Sequence, residues 1–255
     1  MHLLYDFTYP EIEITCNTCL FNDKVMILDT REINLDDYPG LEIISRVGVG
    51  VDNVDLEECK RRGIAVYITP CSELTNAVAD FTVMQMLNLL NNSNPRECLQ
   101  QKRVLIIGYG RIGQAVHSRL VSFNVVVAVR DIRHFSSKEE YLIDLKYQVS
   151  KSDIVTIHTS GNDEIMGEEL IDCMPFGGYL VNMARKQSLN FVYATLCYEG
   201  GFIAGIADDF YSSYCCFDGL LLTNHIASNT QEARKKMEEL AVENILIRPV
   251  ESRVV

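Results

Sequence analysis

Positive charge is in short supply in this chain. Lys and Arg number 23 against 35 Asp and Glu, giving a formal net charge of −12. Most of such a surface repels phosphate backbones, which argues against nucleic acid as a partner. A small anionic ligand would need a local set of donors. Long apolar runs are missing too. No segment is long enough to span a bilayer, and "MHLLYDFTY" has neither the basic start nor the apolar core of a signal peptide. The expectation is a soluble, cytoplasmic protein with no membrane partner. Internal repeats and low-complexity segments are also absent. The nine cysteines are odd in number and scattered, which suits reduced thiols better than a disulfide framework. Cys16 and Cys19 form a lone C-x-x-C. The adjacent Cys215 and Cys216 have the wrong spacing to complete a zinc site, so no metal is expected.

What is present is enough apolar material for a core: 47% of 255 residues. Short apolar runs alternate with helical patterns, the signature of α/β architecture with parallel strands. "LEIISRV" and "IAVYIT" read as strands. Between them "DNVDLEECKRRG" reads as a short helix, with acids at its start, Lys60 to Arg62 at its end and Gly63 beyond. Leu74, Ala77, Val78, Phe81 and Met84 recur at helical spacing from Glu73 to about Leu90, after which "NNSNPREC" breaks the pattern. Further strands are expected at 104–107, 125–129, 154–157, 179–182, 203–207 and 220–223. A long final helix is expected from about Thr230 to Ile247.

The strongest local signal is "RVLIIGYGRIGQAV". Gly108, Gly110 and Gly113 make G-x-G-x-x-G between an apolar strand and a helical pattern. In that context the first glycine permits a tight turn, the second lets backbone approach a pyrophosphate, and the third lets helix and strand pack closely. Amides at the helix start then face phosphate. Asp131 follows Gly113 by 18 residues, near the spacing of about 20 at which a carboxylate meets ribose hydroxyls. This favours NAD over NADP, although Arg130 and Arg133 stand close enough in sequence to attract a 2′-phosphate.

With its flanking motifs, the chain resembles D-2-hydroxyacid dehydrogenases of the phosphoglycerate dehydrogenase type from about Leu41 to Thr230. "ISRVGVGVDNVDLEECKRRGIAVYITP" is similar to that family's substrate loop, helix and strand. "AVADF" resembles A-V-A-E, "SDIVTIH" the strand beside the cofactor, "LVNMAR" the arginine motif, "GIADDF" G-A-x-D-V-F, and "TNHIASNT" T-P-H-I-A-x-x-T.

The resemblance implies a Rossmann-type doubly wound parallel sheet for nucleotide binding over 71–228. A smaller, trimmed, flavodoxin-like α/β substrate domain would be made of 1–70 and 229–255, with the active site in the cleft. It implies NAD contacts at Gly108, Gly110, Arg111, Ile112, Gly113, Asp131, Thr159, Met183 and Asp208, the last at the nicotinamide carboxamide. Val49 and Gly50 would offer amides to a substrate carboxylate. Arg185 would pair with that carboxylate and polarise the keto oxygen, and His225 would exchange a proton with it. His158 would lie near the cofactor without acting as the acid. The implied substrate is a small anionic 2-hydroxy or 2-oxo acid, with 3-phosphoglycerate leading and Arg46 as a phosphate partner. Hydroxypyruvate and glyoxylate stay open, and a homodimer is expected.

The chain also departs from the family. In D-V-F-x-x-E-P, the glutamate that would orient the histidine falls at Ser213 and the proline at Tyr214. A serine can orient a ring but brings no charge, so proton transfer should weaken. Asp209 and Asp218 are the acids nearby. Lys186 replaces a glycine, Asn224 a proline, and the family's tryptophan before the glycine strand is missing, as tryptophan is throughout. A second reading follows: a dinucleotide-binding sensor or interaction protein with little or no catalysis.

Overall fold

The alternation of strands and helices is realised in two separate sheets. The computed structural model describes residues 18–22, 24–93, 95–217 and 219–255, with the backbone alone for 18–22 and 212–217. The chain partitions into two units: the segment up to Leu74 joined by Thr230–Val255, and Thr75–Asn229.

The first unit contains β1 (Thr18–Asn22), β2 (Val25–Leu28), β3 (Ile43–Arg46), α1 (Leu56–Arg62) and β4 (Ala65–Tyr67). Its sheet runs β1-β2-β3-β4; β2, β3 and β4 are parallel and β1 is antiparallel. The core comprises Met26, Leu28, Ile44, Val66 and Cys59 among others. Helix α1 forms where the sequence predicts it. The Asp55 side chain accepts the Glu58 amide at 2.9 Å, acids fill the first turn and bases the last, and Gly63 ends the helix. The helix α2 (Ser72–Asn92) begins here, and the partition falls in its first turn.

The second unit continues with β5 (Arg103–Ile107), α3 (Arg111–Leu120), β6 (Val126–Arg130), α4 (Lys138–Val149), β7 (Ile154–Ile157), α5 (Glu168–Ile171), β8 (Gly178–Asn182), α6 (Phe191–Glu199), β9 (Ile203–Asp208), β10 (Phe210–Phe217) and β11 (Leu220–Asn224). Sheet order is β10-β11-β9-β8-β7-β5-β6, parallel throughout except for β10. Every residue of β7 and β8 is buried, as expected of strands covered on both faces. The chain leaves β5 for β6 on one side and later enters β7 on the other. This reversal is a topological switch point, beside which ligands of such sheets bind. The antiparallel β10 was not evident in "YSSYCCF".

Helix α7 (Gln231–Ile247) belongs to the first unit. Thr230 caps it by accepting the Ala233 amide. Asn244 Nδ2 donates to the Ile68 carbonyl at 3.0 Å and to Ser45 Oγ at 3.3 Å, and Arg234 pairs with Asp29 at 2.9 Å. Among the described residues no helix is long and apolar enough to cross a membrane.

Candidate active site

Parallel strands place the residues that follow them at one edge of the sheet. In the second unit that carboxyl edge carries Gly108 after β5, His158 after β7, Arg185 in the turn after β8, Asp208 ending β9 and His225 after β11.

The glycine loop is built as its spacing requires. Gly108 has φ +92, and a Cβ there would lie 2.6 Å from the His158 carbonyl oxygen, so the turn tolerates no side chain. A Cβ on Gly113 would overlap the Gly108 carbonyl, so this helix–strand crossing also needs glycine. A Cβ on Gly110 would meet nothing within 4 Å, so the loop leaves open space in front of that backbone. Helix α3 starts at the next residue with no side-chain cap on its first amides. Arg111 is exposed, Ile112 half-buried, Thr159 half-buried beside Gly108, and Met183 buried. These features fit a pyrophosphate on the loop and helix N-terminus.

Asp131 follows β6. Its carboxylate accepts the Arg133 guanidinium at 2.8 and 2.6 Å, the Arg133 amide at 3.0 Å and the Tyr109 amide at 2.9 Å. Arg133 above all holds its pKa well below the usual carboxylate range. Arg130 turns instead to Asp144 on α4. An ionised acceptor therefore stands where ribose hydroxyls would need one, shared with an exposed arginine.

Asn182, which sequence reasoning missed, joins the other side of the edge together. Its Nδ2 donates to the Arg185 carbonyl at 2.8 Å and to Asp208 Oδ2 at 2.9 Å, while its Oδ1 accepts the Ala184 amide at 3.1 Å. The arginine turn and the aspartate are thus braced by one fully buried amide. Its signal was the Asn inside the arginine motif "LVNMAR". Asp208 also accepts the Phe210 amide at 2.9 Å, and burial pushes its pKa up to about 7. His158 shares a hydrogen bond with Thr156 Oγ1 at 2.9 Å, and burial lowers its pKa to about 3, so it stays neutral.

His225 is exposed, with φ +49 and its ring edge-on to Phe210 at 4.8 Å between centroids. Neighbouring strands lie about 4.8 Å apart. The strands leading to Arg185 and His225 flank β9, so they run roughly 10 Å apart. Asp209 turns its carboxylate to the backbone around the histidine. Its carboxylate accepts Thr223 Oγ1 and the amides of Ile226 and Ala227. The side chain of Ser213, Asp218, Cys16 and the side chains of Cys19, Cys215 and Cys216 lie outside the described residues.

In the first unit, Gly48 is fastened to Thr69. Its amide donates to Oγ1 at 2.7 Å and its carbonyl accepts the Thr69 amide at 3.0 Å. Val49 and Gly50 follow, partly exposed, and neither amide donates a hydrogen bond among the described residues. Arg46 is placed otherwise than a phosphate partner would be. It is buried, donating to Asn53 Oδ1 at 3.1 Å and to the Val47 carbonyl at 2.6 Å, with Asp29 at 3.7 Å. Its charge serves the unit's own loop.

Known proteins resemble the chain in sequence and in fold. Residues 25–247 match the family described as D-isomer specific 2-hydroxyacid dehydrogenase, catalytic domain. The chain is 33% identical to a glyoxylate reductase of Thermofilum pendens, covering 89% of this chain and 76% of that protein. It is 28% identical to a 2-ketogluconate reductase of Gluconobacter oxydans, over 83% and 77% of the two chains. Among solved structures, an NAD-dependent formate dehydrogenase of Staphylococcus aureus in complex with NAD superimposes with a TM-score of 0.77 at 26% identity, covering 91% of this chain and 82% of that one.

Proposed function

The chain belongs to the D-isomer specific 2-hydroxyacid dehydrogenases and is an oxidoreductase of that type; from this premise we propose that it interconverts a small 2-oxo acid and its D-2-hydroxy acid with NAD. The observation that carries the reading is the Asn182 brace, which ties the Arg185 turn to Asp208 at the carboxyl edge of the sheet holding the glycine loop. NAD, when bound, supplies or takes up the hydride. The unit Thr75–Asn229 holds it, through the amides around Gly110 and the Asp131 carboxylate.

The chain's own residues do the rest. Arg185 pairs with the substrate carboxylate and polarises the keto oxygen. His225 gives that oxygen a proton in reduction and takes it back in oxidation. For the substrate, the names of the relatives support an unphosphorylated acid such as glyoxylate or hydroxypyruvate. The burial of Arg46 gives 3-phosphoglycerate no comparable support.

The test is NADH absorbance with a panel of glyoxylate, hydroxypyruvate, 2-ketogluconate and 3-phosphohydroxypyruvate between pH 5 and 8. Turnover on an unphosphorylated acid, lost in His225→Ala, is expected. NADH binding by calorimetry without turnover on any of the four would overturn the reading in favour of a dinucleotide sensor, which the serine at position 213 favours.

A further inference from the structure

Asp209 has no place in that chemistry, yet it is 1% exposed. A carboxylate is buried only where donors replace water. Its donors here are all on one short stretch. Oδ1 accepts Thr223 Oγ1 at 2.6 Å and the Ile226 amide at 2.9 Å, and Oδ2 accepts the Ala227 amide at 3.0 Å. Its backbone carbonyl accepts the His225 amide at 2.6 Å. Residues 223, 225, 226 and 227 thus all bond to Asp209, and they bracket the histidine. His225 itself has φ +49. A non-glycine residue keeps that left-handed backbone only where its surroundings over-determine it. The family motif that "GIADDF" resembles has valine where Asp209 stands, and it has its ring-orienting acid where Ser213 stands.

We propose that Asp209 is a positioning residue for His225: a buried carboxylate that clamps the backbone on both sides of the histidine and so fixes where the imidazole stands at the sheet edge. An acid is absent at the position from which the family orients the ring, and one is present where it can hold the main chain instead. Phe210, the next residue, sets its ring against the imidazole, so the two consecutive residues fix backbone and side chain respectively. The inference rests on the reading of His225 as the proton donor.

The test uses this chain with three substitutions, and H225A as a background. D209A and D209V remove the clamp, the latter restoring the family's residue, and T223V removes one donor while leaving the carboxylate. Two readouts are needed. Hydrogen exchange at the Ile226 and Ala227 amides requires no turnover; it should be slow in the wild type and much faster in D209A and D209V. Kinetics with glyoxylate and NADH should show kcat lowered roughly 10²-fold in D209A, the scale of a displaced catalytic group, with KM for NADH unchanged. T223V should lose less than about 10-fold. In an H225A background, D209A should lower the residual rate no further. Three outcomes would each overturn the proposal: exchange at 226 and 227 indifferent to D209A; faster exchange with unchanged kcat; or kcat and NADH affinity falling together, as general unfolding would produce. If D209A and D209V do not fold, T223V decides by the same two measurements. A wild type without turnover overturns the functional reading instead, and the exchange data still decide whether Asp209 holds the backbone.

Discussion

Asp131 follows β6 at the edge of the seven-stranded sheet, and Asp208 ends β9 in its interior. Both are buried, yet their environments push them in opposite directions. An arginine forks onto Asp131 and keeps it ionised. Asp208 is served by an amide side chain and a backbone N–H, and its pKa rises to about 7 because those neutral donors do not repay the lost hydration. The difference separates two tasks. The edge carries a fixed charge, suited to gripping a polar ligand. The interior, with Asp208, Asn182 and the clamp from Asp209, carries a braced framework that places Arg185 and His225.

That division can be broken experimentally. The largest effect is expected of His225→Ala, which should lower kcat by roughly 10²- to 10⁴-fold while leaving the calorimetric affinity for NADH unchanged. A parallel loss of NADH binding would mean the two corners are not separate. Next is Asp208→Asn, read by urea unfolding against pH. An acid whose folded pKa exceeds its unfolded value binds its proton more tightly in the fold. Its stabilising contribution is complete below the ordinary value of 3.8 and is lost as pH rises through about 7. The wild type should therefore lose stability relative to the variant across that window, by up to about 4 kcal/mol, whatever slope the other groups impose on both. The same slope in both proteins would refute the assignment to Asp208.

Asp131 has the opposite sign. Its contribution is present above the ordinary carboxylate value and is lost only as pH falls below it, so Asp131→Asn should leave the slope between pH 5 and 8 untouched. Its signature is binding: NADH affinity should fall roughly 10-fold or more, with kcat at saturating NADH little changed. The smallest effect belongs to Arg133→Ala. Its guanidinium is exposed and competes for the Asp131 oxygens, so removing it should tighten NADH by less than about 10-fold and weaken NADPH. Tighter NADPH binding would show that the arginine does not favour a 2′-phosphate.

Local rules account for what was legible beforehand. The strand, three glycines and helix of the cofactor loop are neighbours in sequence, so spacing alone exposed them, and α1 announced its caps at both ends. The clamp and the brace were not legible because they close over distance. Asp209 meets Ala227 across 18 positions and Asn182 meets Asp208 across 26. No pattern of hydrophobicity reports which acid in "ADDF" turns toward the cofactor edge and which toward the backbone. Arg46 shows the same limit: a basic residue beside a substrate motif looks available in sequence, and only the fold shows that it donates to Asn53 and the Val47 carbonyl.

Asn182 has a consequence for how this sequence can change. One side-chain amide gives one hydrogen to the arginine turn and the other to Asp208. Neither end can be retuned alone, because a substitution that shifts one partner withdraws the strut from the other. A change that moves the backbone of the arginine turn should therefore be felt at Asp208, and attempts to engineer a new substrate preference at that turn will succeed more often when position 182 is allowed to vary with it.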